Sequence, residues 1–176
     1  MNYSLRKWDL KDAPDLAKAL NNKNIHDNLR DGLPYPYTTT DAECYINSVL
    51  EAEKDSQYMW AIDVDGKAKG SMGIFRKDNV HRRTAEVGYY LAEDLWGKGI
   101  VAQALKDACQ FIFEHTDILR IFGEPYAYNT ASCHVLEKAD FTFEGTLRQN
   151  AVKNGKILDM KLYSLLREEA VGAKLF

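Results

Sequence analysis

The sequence predicts an α/β (α+β) fold, with a mixed, mostly antiparallel sheet of seven strands and helices on both faces. The first observation is a pair of hairpin signals, in which β-like runs flank the turns Asp65-Gly66 and Asn154-Gly155. The second is a β-like run ending at Leu91, which leads through glycines into an amphipathic helix over Ile100–His115. The third is that no repeat, linker or low-complexity tract divides the sequence, which predicts a single domain over residues 1–176.

The part of the chain before the central helix supplies strands and shorter helices. Asp12 is expected to cap the first helix, and Thr40 or Asp41 the third, because these residue types are preferred N-caps. The prolines predict an extended Leu33–Tyr37, since each disfavours helix in the residue before it. The predicted helices are Ala13–Leu20, Ile25–Asp31 and one ending near Glu53. The predicted strands are Tyr3–Lys7, Tyr58–Val64, Ala68–Arg76 and Thr84–Leu91.

The part after the central helix predicts three strands and one helix. Pro125 cannot donate to a ladder, so pairing is expected to fail near it or the strand to become an edge. Asn129 can cap the next helix, and residues 167–176 are expected to form a loosely attached tail. The predicted elements are the strands Arg120–Tyr126, Phe141–Arg148 and Ile157–Leu166 and the helix Thr130–Ala139.

Composition limits the classes of function. The chain is 45% hydrophobic with no apolar run long enough to cross a bilayer, and its N-terminus does not resemble a signal peptide, which predicts a cytoplasmic protein without a membrane partner. A net charge of −3 argues against nucleic acid and suits a cationic amine. Three cysteines without a CxxC pair, and histidines without ligand spacing, predict neither a disulfide framework nor a metal site.

The glycine turn before the central helix predicts an anion site. A helix N-terminus exposes backbone N–H groups and partial positive charge, which favours phosphate, and Lys98 adds a cation. A Walker loop is excluded because Ile100 occupies its Ser/Thr position. Gly97–Ala102 does fit the dinucleotide pattern GxGxxA, with Glu124 about 20 residues later as a ribose-binding acid. A tight turn without any ligand also explains the glycines.

Two motifs together resemble one family. The stretch Trp96-Gly97-Lys98-Gly99-Ile100-Val101-Ala102-Gln103-Ala104-Leu105 is followed by Asn129-Thr130-Ala131-Ser132 and Val135-Leu136-Glu137-Lys138. In this order they resemble the GNAT superfamily of acetyl-CoA-dependent N-acetyltransferases, and within it the RimJ/RimL type. The resemblance spans nearly the whole chain. It implies a GNAT-like fold, acetyl-CoA as co-substrate without a metal, and transfer of acetyl to a primary amine, either a protein N-terminus or a small molecule.

The resemblance also implies site residues. The region from Arg30 to Tyr37 lies over the acceptor site in the family, which makes Arg30, Tyr35 and Tyr37 substrate-binding candidates; covering the core and contacting solvent are equally good explanations for them. The residues expected to bind acetyl-CoA are Tyr89, Tyr90, Leu91, Trp96, Gly97, Lys98, Gly99, Ile100, Val101, Ala102, Asn129 and Ser132.

Catalysis requires a base for the amine and an acid for the thiolate. By alignment, Glu124 occupies the position of the general base proposed for RimI-like relatives, and Glu86 on the neighbouring strand is the alternative. Leu136 stands where many family members carry a tyrosine acid, so Ser132 becomes the candidate beside the sulfur. A domain of the same fold that binds acyl-CoA as a sensor, without catalysis, is an alternative function. The sequence does not specify whether the protein is a monomer or a homodimer.

Overall fold

The computed structural model describes residues 2–172 and contains one seven-stranded sheet. The strands are β1 (Tyr3–Arg6), β2 (Gln57–Val64), β3 (Lys67–Arg76), β4 (Thr84–Leu91), β5 (Arg120–Gly123), β6 (Thr142–Lys153) and β7 (Lys156–Leu166). The α-helices are α1 (Ala13–Leu20), α2 (Lys23–His26), α3 (Thr39–Leu50), α4 (Ile100–His115), α5 (Thr130–Lys138) and α6 (Arg167–Gly172). The sheet order is β1-β2-β3-β4-β5-β7-β6, which confirms the predicted number of strands.

The chain divides into two compact units. One comprises the residues up to Gly73 together with Tyr89–Ala104, and the other comprises Ile74–Gly88 and the residues from Leu105 onward. Each unit includes part of the sheet, because β3 and β4 each contribute residues to both.

The first unit is built on a core that covers β1 and β2. These two strands pair antiparallel, with Tyr3 opposite Val64, and helices α1 and α3 pack against each other. Trp8, Leu16 and Ile46 are buried in this core at 4%, 1% and 0% exposure. Removing these large apolar side chains from water is the main favourable term for this unit.

The second unit contains the parallel strand pair. Strands β4 and β5 pair parallel, whereas β5 with β7 and β6 with β7 pair antiparallel. Within this unit, the β4–β5 ladder ends at Glu86 opposite Phe122. On its other side β5 stays bonded beyond Gly123, because the Pro125 carbonyl accepts from the Lys161 N–H at 3.0 Å. The segment around Pro125 therefore stays bonded to β7, and β5 is shorter than predicted.

The sheet excludes a doubly wound dinucleotide-binding fold. That fold requires a largely parallel sheet. In the described residues β4 pairs parallel with β5, whereas β1 with β2, β5 with β7 and β6 with β7 pair antiparallel. The GxGxxA interpretation is therefore wrong at the level of the fold.

One predicted helix cap is right in position only, and another is wrong. Asp12 is the N-cap residue of α1, but its side chain makes no cap bond, because its carboxylate accepts from Arg6 at 2.7 and 2.9 Å. Thr38 caps α3, and Asp41 closes the capping box from the third helical position. The competing ion pair and the reciprocal box each satisfy more polar groups than the simple caps that the sequence suggested.

Two further predicted boundaries differ from the structure. Helix α2 covers Lys23–His26 instead of Ile25–Asp31, because Asn22 caps its start by accepting from two backbone N–H groups. Arg167 begins α6 where a loose tail was predicted, and its guanidinium donates to the carbonyls of Thr116 and Ile118. Residues 173–176 of the predicted tail lie outside the described residues.

The Arg120–Glu144–Ser164 cluster links β5, β6 and β7. Arg120 donates to both carboxylate oxygens of Glu144 at 2.6 Å, and the Ser164 hydroxyl donates to the same carboxylate at 2.6 Å. The Arg120 bonds, followed by the Ser164 bond, lower the pKa of Glu144 to about 2. The ionised form is therefore the one that stabilises the sheet.

Glu144→Gln is expected to lower the free energy of unfolding at pH 7 by about 1 kcal/mol, a modest amount because the pair is one-third exposed and screened by solvent. Since the folded-state pKa is depressed, the stabilisation is fully present above the unfolded pKa near 4.5 and is lost as the pH falls towards 2. Urea titrations from pH 7 to pH 3 measure this difference, with exposed Glu43→Gln as control. A difference that stays constant down to pH 3 contradicts the prediction.

Candidate active site

The turn between β4 and α4 has the backbone conformation that its glycines allow. Gly97 and Gly99 have φ angles of +74° and +76°, in the left-handed region that other residues rarely adopt. A Cβ at either position would meet no atom within 4 Å, so the requirement for glycine is conformational and not a matter of space. The Gly99 carbonyl accepts from the Gln103 N–H, so Gly99 is the N-cap residue of α4.

The turn is held in place by its own side chains. The Trp96 indole donates to the Leu91 carbonyl at 2.7 Å, and Lys98 Nζ donates to the Asp94 carbonyl at 2.9 Å. The Ala92 N–H donates to the carbonyl of Lys69 on β3 at 2.7 Å. Lys98 therefore bonds back to the segment that precedes the turn, while 45% of the Trp96 residue stays exposed.

The start of α4 fits a diphosphate. In any α-helix the first N–H groups have no intrahelical acceptor, and in α4 these belong to Ile100, Val101 and Ala102. Gly97 and Gly99 add backbone N–H groups that no side chain of their own covers. Partial positive charge at the helix start and N–H groups without an intrahelical acceptor suit the diphosphate of coenzyme A.

Sequence reasoning missed a set of residues beside this turn. Glu93 accepts from Asn22 Nδ2 at 2.6 Å with one carboxylate oxygen and from Asn24 Nδ2 at 2.9 Å with the other. These bonds, with the Asn22 bond first, lower the pKa of Glu93. The partners are 71 and 69 residues apart in the chain, so no local pattern could have paired them.

The predicted acceptor residues fall into different environments. Arg30 is exposed, and Tyr35 is 49% exposed with its ring 5.1 Å from that of His26. Tyr37 is only 5% exposed and belongs to the core of the first unit. Burial raises the pKa of Tyr37 to about 12, so its phenol stays neutral.

The three predicted cofactor residues on β4 are mostly enclosed. Tyr89 is half-buried, Leu91 is buried, and the Tyr90 hydroxyl is buried. Burial raises the pKa of Tyr90 as well, which excludes a tyrosinate at neutral pH. The Leu91 carbonyl accepts from the Trp96 indole at 2.7 Å, which ties the end of β4 to the turn.

The two candidate carboxylates lie on the same face of neighbouring strands in the second unit. Glu86 pairs with Phe122, and paired residues of parallel strands point to the same face. The bonds of β5 to β7 keep one register from Gly123 through Tyr126, so Glu124 shares the face of Phe122. Glu86 forms an ion pair with Lys77 at 2.7 Å, and the same ammonium lies 5.5 Å from the centre of the Phe122 ring.

Asn129 and Ser132 meet at the start of α5, as predicted for the N-cap. Asn129 Oδ1 accepts from the Ser132 N–H at 3.1 Å. The oxygen of the Asn129 amide is thus used by the helix, and its NH₂ is the group suited to a ligand carbonyl. Leu136, at the position of the family's tyrosine acid, is buried at 1% exposure.

The cofactor and catalytic candidates are distributed over both units. The turn and the acceptor residues belong to the first unit, whereas Glu86, Glu124, Asn129 and Ser132 belong to the second. Among residues 2–172, no group of three or more His, Cys, Asp or Glu side chains is arranged to hold a metal ion. No described helix is both long and apolar enough to span a bilayer.

Known proteins resemble this chain in sequence and fold. The Bacillus subtilis protein YdaF, whose name assigns it provisionally as a ribosomal N-acetyltransferase, is 34% identical over 110 residues. That alignment covers 62% of this chain and 60% of YdaF, which is less than two thirds of its length.

Two solved structures share the fold. The RimL acetyltransferase of ribosomal protein L7/L12, in complex with coenzyme A, has a TM-score of 0.84 at 23% identity and covers 96% of both chains. The spermidine N-acetyltransferase of Vibrio cholerae, with CoA and spermine, has a TM-score of 0.79 at 21% identity, covering 96% of this chain and 98% of that one.

The family model described as "Acetyltransferase (GNAT) domain" matches residues 3–142, a range that includes the glycine turn, both candidate carboxylates and the start of α5. The fold and family predicted from the two motifs are therefore confirmed, and the chain belongs to the GNAT acetyltransferase family.

Proposed function

We propose that this chain is an N-acetyltransferase that moves the acetyl group of acetyl-CoA to a primary amine by direct attack in a ternary complex. The observation that carries the proposal is the glycine turn at the start of α4, in a chain whose family is defined by acetyl transfer. A protein N-terminus and a small-molecule amine both suit the site. The cytoplasmic location predicted from composition belongs to the same proposal.

The first unit is proposed to hold the co-substrate. The N–H groups of Ile100, Val101 and Ala102, with those of Gly97 and Gly99, would bond the diphosphate. When bound, acetyl-CoA supplies an acetyl group already activated as a thioester. Positioning therefore contributes much of the acceleration, and side-chain chemistry adds a smaller factor.

Glu124 is proposed to accept the proton of the acceptor amine. Glu86 shares its face of the sheet, but its carboxylate is held by Lys77 and would have to leave that ion pair to act as a base. Glu124 is half-buried at the point where the parallel ladder has ended. Glu124 also lies five residues before Asn129, where RimI-like relatives carry their proposed general base, and this position supports Glu124 over Glu86.

Ser132 and Asn129 are proposed to serve the thioester arm. Asn129 keeps its amide NH₂ for a pantetheine carbonyl while its oxygen caps α5. With Leu136 buried where relatives have a tyrosine, the Ser132 hydroxyl is the proposed group near the departing sulfur. A non-catalytic acyl-CoA sensor of the same fold is the second candidate function, because Leu136 cannot donate a proton.

Saturating acetyl-CoA, at about 100 times its Kd, is expected to stabilise the protein by about 2.7 kcal/mol, a rise in Tm of about 5–10 °C. Thermal unfolding with acetyl-CoA, and with NADH as the control, measures this. Thiol release across a panel of primary amines then separates enzyme from sensor. No thiol above background with any amine, despite the thermal shift, would support the sensor.

Glu124→Gln is expected to lower kcat about 100-fold, with the KM for acetyl-CoA unchanged, because a general base contributes in this range. Glu86→Gln is the matched control and is expected to change kcat much less, since Glu86 is proposed to stay paired with Lys77. Steady-state thiol release gives both values. Equal losses in the two variants would overturn the assignment of Glu124.

Gly99→Ala is expected to cost about 1 kcal/mol of stability, since alanine at positive φ is strained. The affinity for coenzyme A should fall with it, because the turn relaxes away from its left-handed conformation. Gly99→Asn should recover part of both losses, since asparagine tolerates this region. Calorimetric titration with coenzyme A and thermal unfolding report the two effects, and unchanged affinity in Gly99→Ala would contradict the diphosphate site.

A further inference from the structure

Glu93 joins the glycine turn to helix α2 within the first unit. It lies in the short 3₁₀ turn Glu93–Leu95, and its carbonyl accepts from the Trp96 N–H at 3.1 Å, directly before Gly97. Its two carboxylate oxygens accept from Asn22 and Asn24 at 2.6 and 2.9 Å. One carboxylate thus fixes the start of α2 against the turn.

The other end of α2 fixes the predicted acceptor loop. His26, the last residue of α2, uses Nε2 to donate to the Leu33 carbonyl at 3.1 Å. The His26 ring also packs on Tyr35, with ring centres 5.1 Å apart. Because α2 is a single helical turn, a displacement of its start is transmitted to His26 and to the loop that His26 holds.

Asn22 and Asn24 contribute differently to this connection. Asn22 also caps α2, since its Oδ1 accepts from the N–H groups of Asn24 and Ile25. The Asn24 side chain bonds Glu93, whereas the cap uses its backbone N–H, so changing the Asn24 side chain leaves the cap intact. Hydrogen bonds to an ionised carboxylate are stronger than neutral ones, which suits a fixed connection at an exposed site.

We infer that Glu93 and Asn24 are positioning residues that connect the turn proposed to hold the diphosphate with the loop proposed to hold the acceptor amine. The inference rests on the proposed function. A diphosphate bound to the N–H groups of the turn fixes Glu93, and Glu93 fixes α2, His26 and the loop. By linkage, a loop ordered by acceptor favours the same arrangement of the turn, so each substrate binds more tightly in the presence of the other.

Hydrogen exchange of the full chain, with and without saturating coenzyme A, tests the inference. In the wild type, coenzyme A is expected to slow exchange in peptides covering residues 26–37 as well as those covering 93–102. In Glu93→Ala the slowing over 26–37 is expected to disappear, and in Asn24→Ala, which keeps the Asn22–Glu93 bond, it is expected to decrease; the slowing over 93–102 persists in both variants. Lys23→Ala, which removes the Lys23–Asp27 pair on the same helix, is the matched control and should keep both effects.

Kinetics provide a second readout. The KM for the acceptor is expected to rise about three- to tenfold in Asn24→Ala and Glu93→Ala, with kcat nearly unchanged, because exposed charge-assisted bonds contribute modestly. The rises should not add in the double variant, since both changes break one connection.

The possible results separate the inference from the proposed function. The inference alone is overturned if coenzyme A binds to the wild type without slowing exchange over residues 26–37. It is also overturned if coenzyme A slows this exchange as much in the variants as in the wild type. An additive double variant does the same. A wild-type protein that binds no coenzyme A overturns both the inference and the proposed function.

Discussion

The site depends on one constraint, which is that the backbone at the start of α4 must turn through the left-handed region twice within three residues. Gly97 and Gly99 meet this requirement without steric cost, and the N–H groups that follow them begin a helix of 16 residues. Two side chains of the turn donate to backbone carbonyls that precede it, Trp96 to that of Leu91 and Lys98 to that of Asp94. The proposed anion site is therefore made of backbone N–H groups, next to the partial positive charge of the helix start.

The second unit contains the two candidate catalytic carboxylates, Glu86 and Glu124, which lie near the end of the β4–β5 ladder. The recorded β4–β5 pairing stops at Glu86 and Phe122 while β5 stays bonded to β7 through Pro125. The β4–β5 ladder is thus shorter than the β5–β7 ladder on the other side of β5. Glu124 lies just beyond this point, on the same face as Glu86, which forms an ion pair with Lys77.

Several predictions held because they depend on neighbours in the sequence. The bounds of α1 and α4 matched the structure, since apolar spacing, Pro14 in the first turn and the flanking glycines are local signals. The predicted side-chain cap bond of α1 and the predicted cap residue of α3 were wrong, the first because of a distant residue and the second because of a reciprocal pair of bonds. Arg6 competes for Asp12 from β1, and Thr38 satisfies a reciprocal box that a ranking of single residues does not weigh.

The sequence by itself determined the family, the order of the elements and the chemistry of the turn, because glycine conformation, helix periodicity and paired motifs are properties of short stretches. Only the tertiary structure decided which polar groups meet. The contact of Glu93 with Asn24 and the ion pair of Glu86 with Lys77 depend on side chains that folding alone brings together. Hydrogen bonds and ion pairs act over a few ångströms, so their partners are set by the packing of the chain and not by its order.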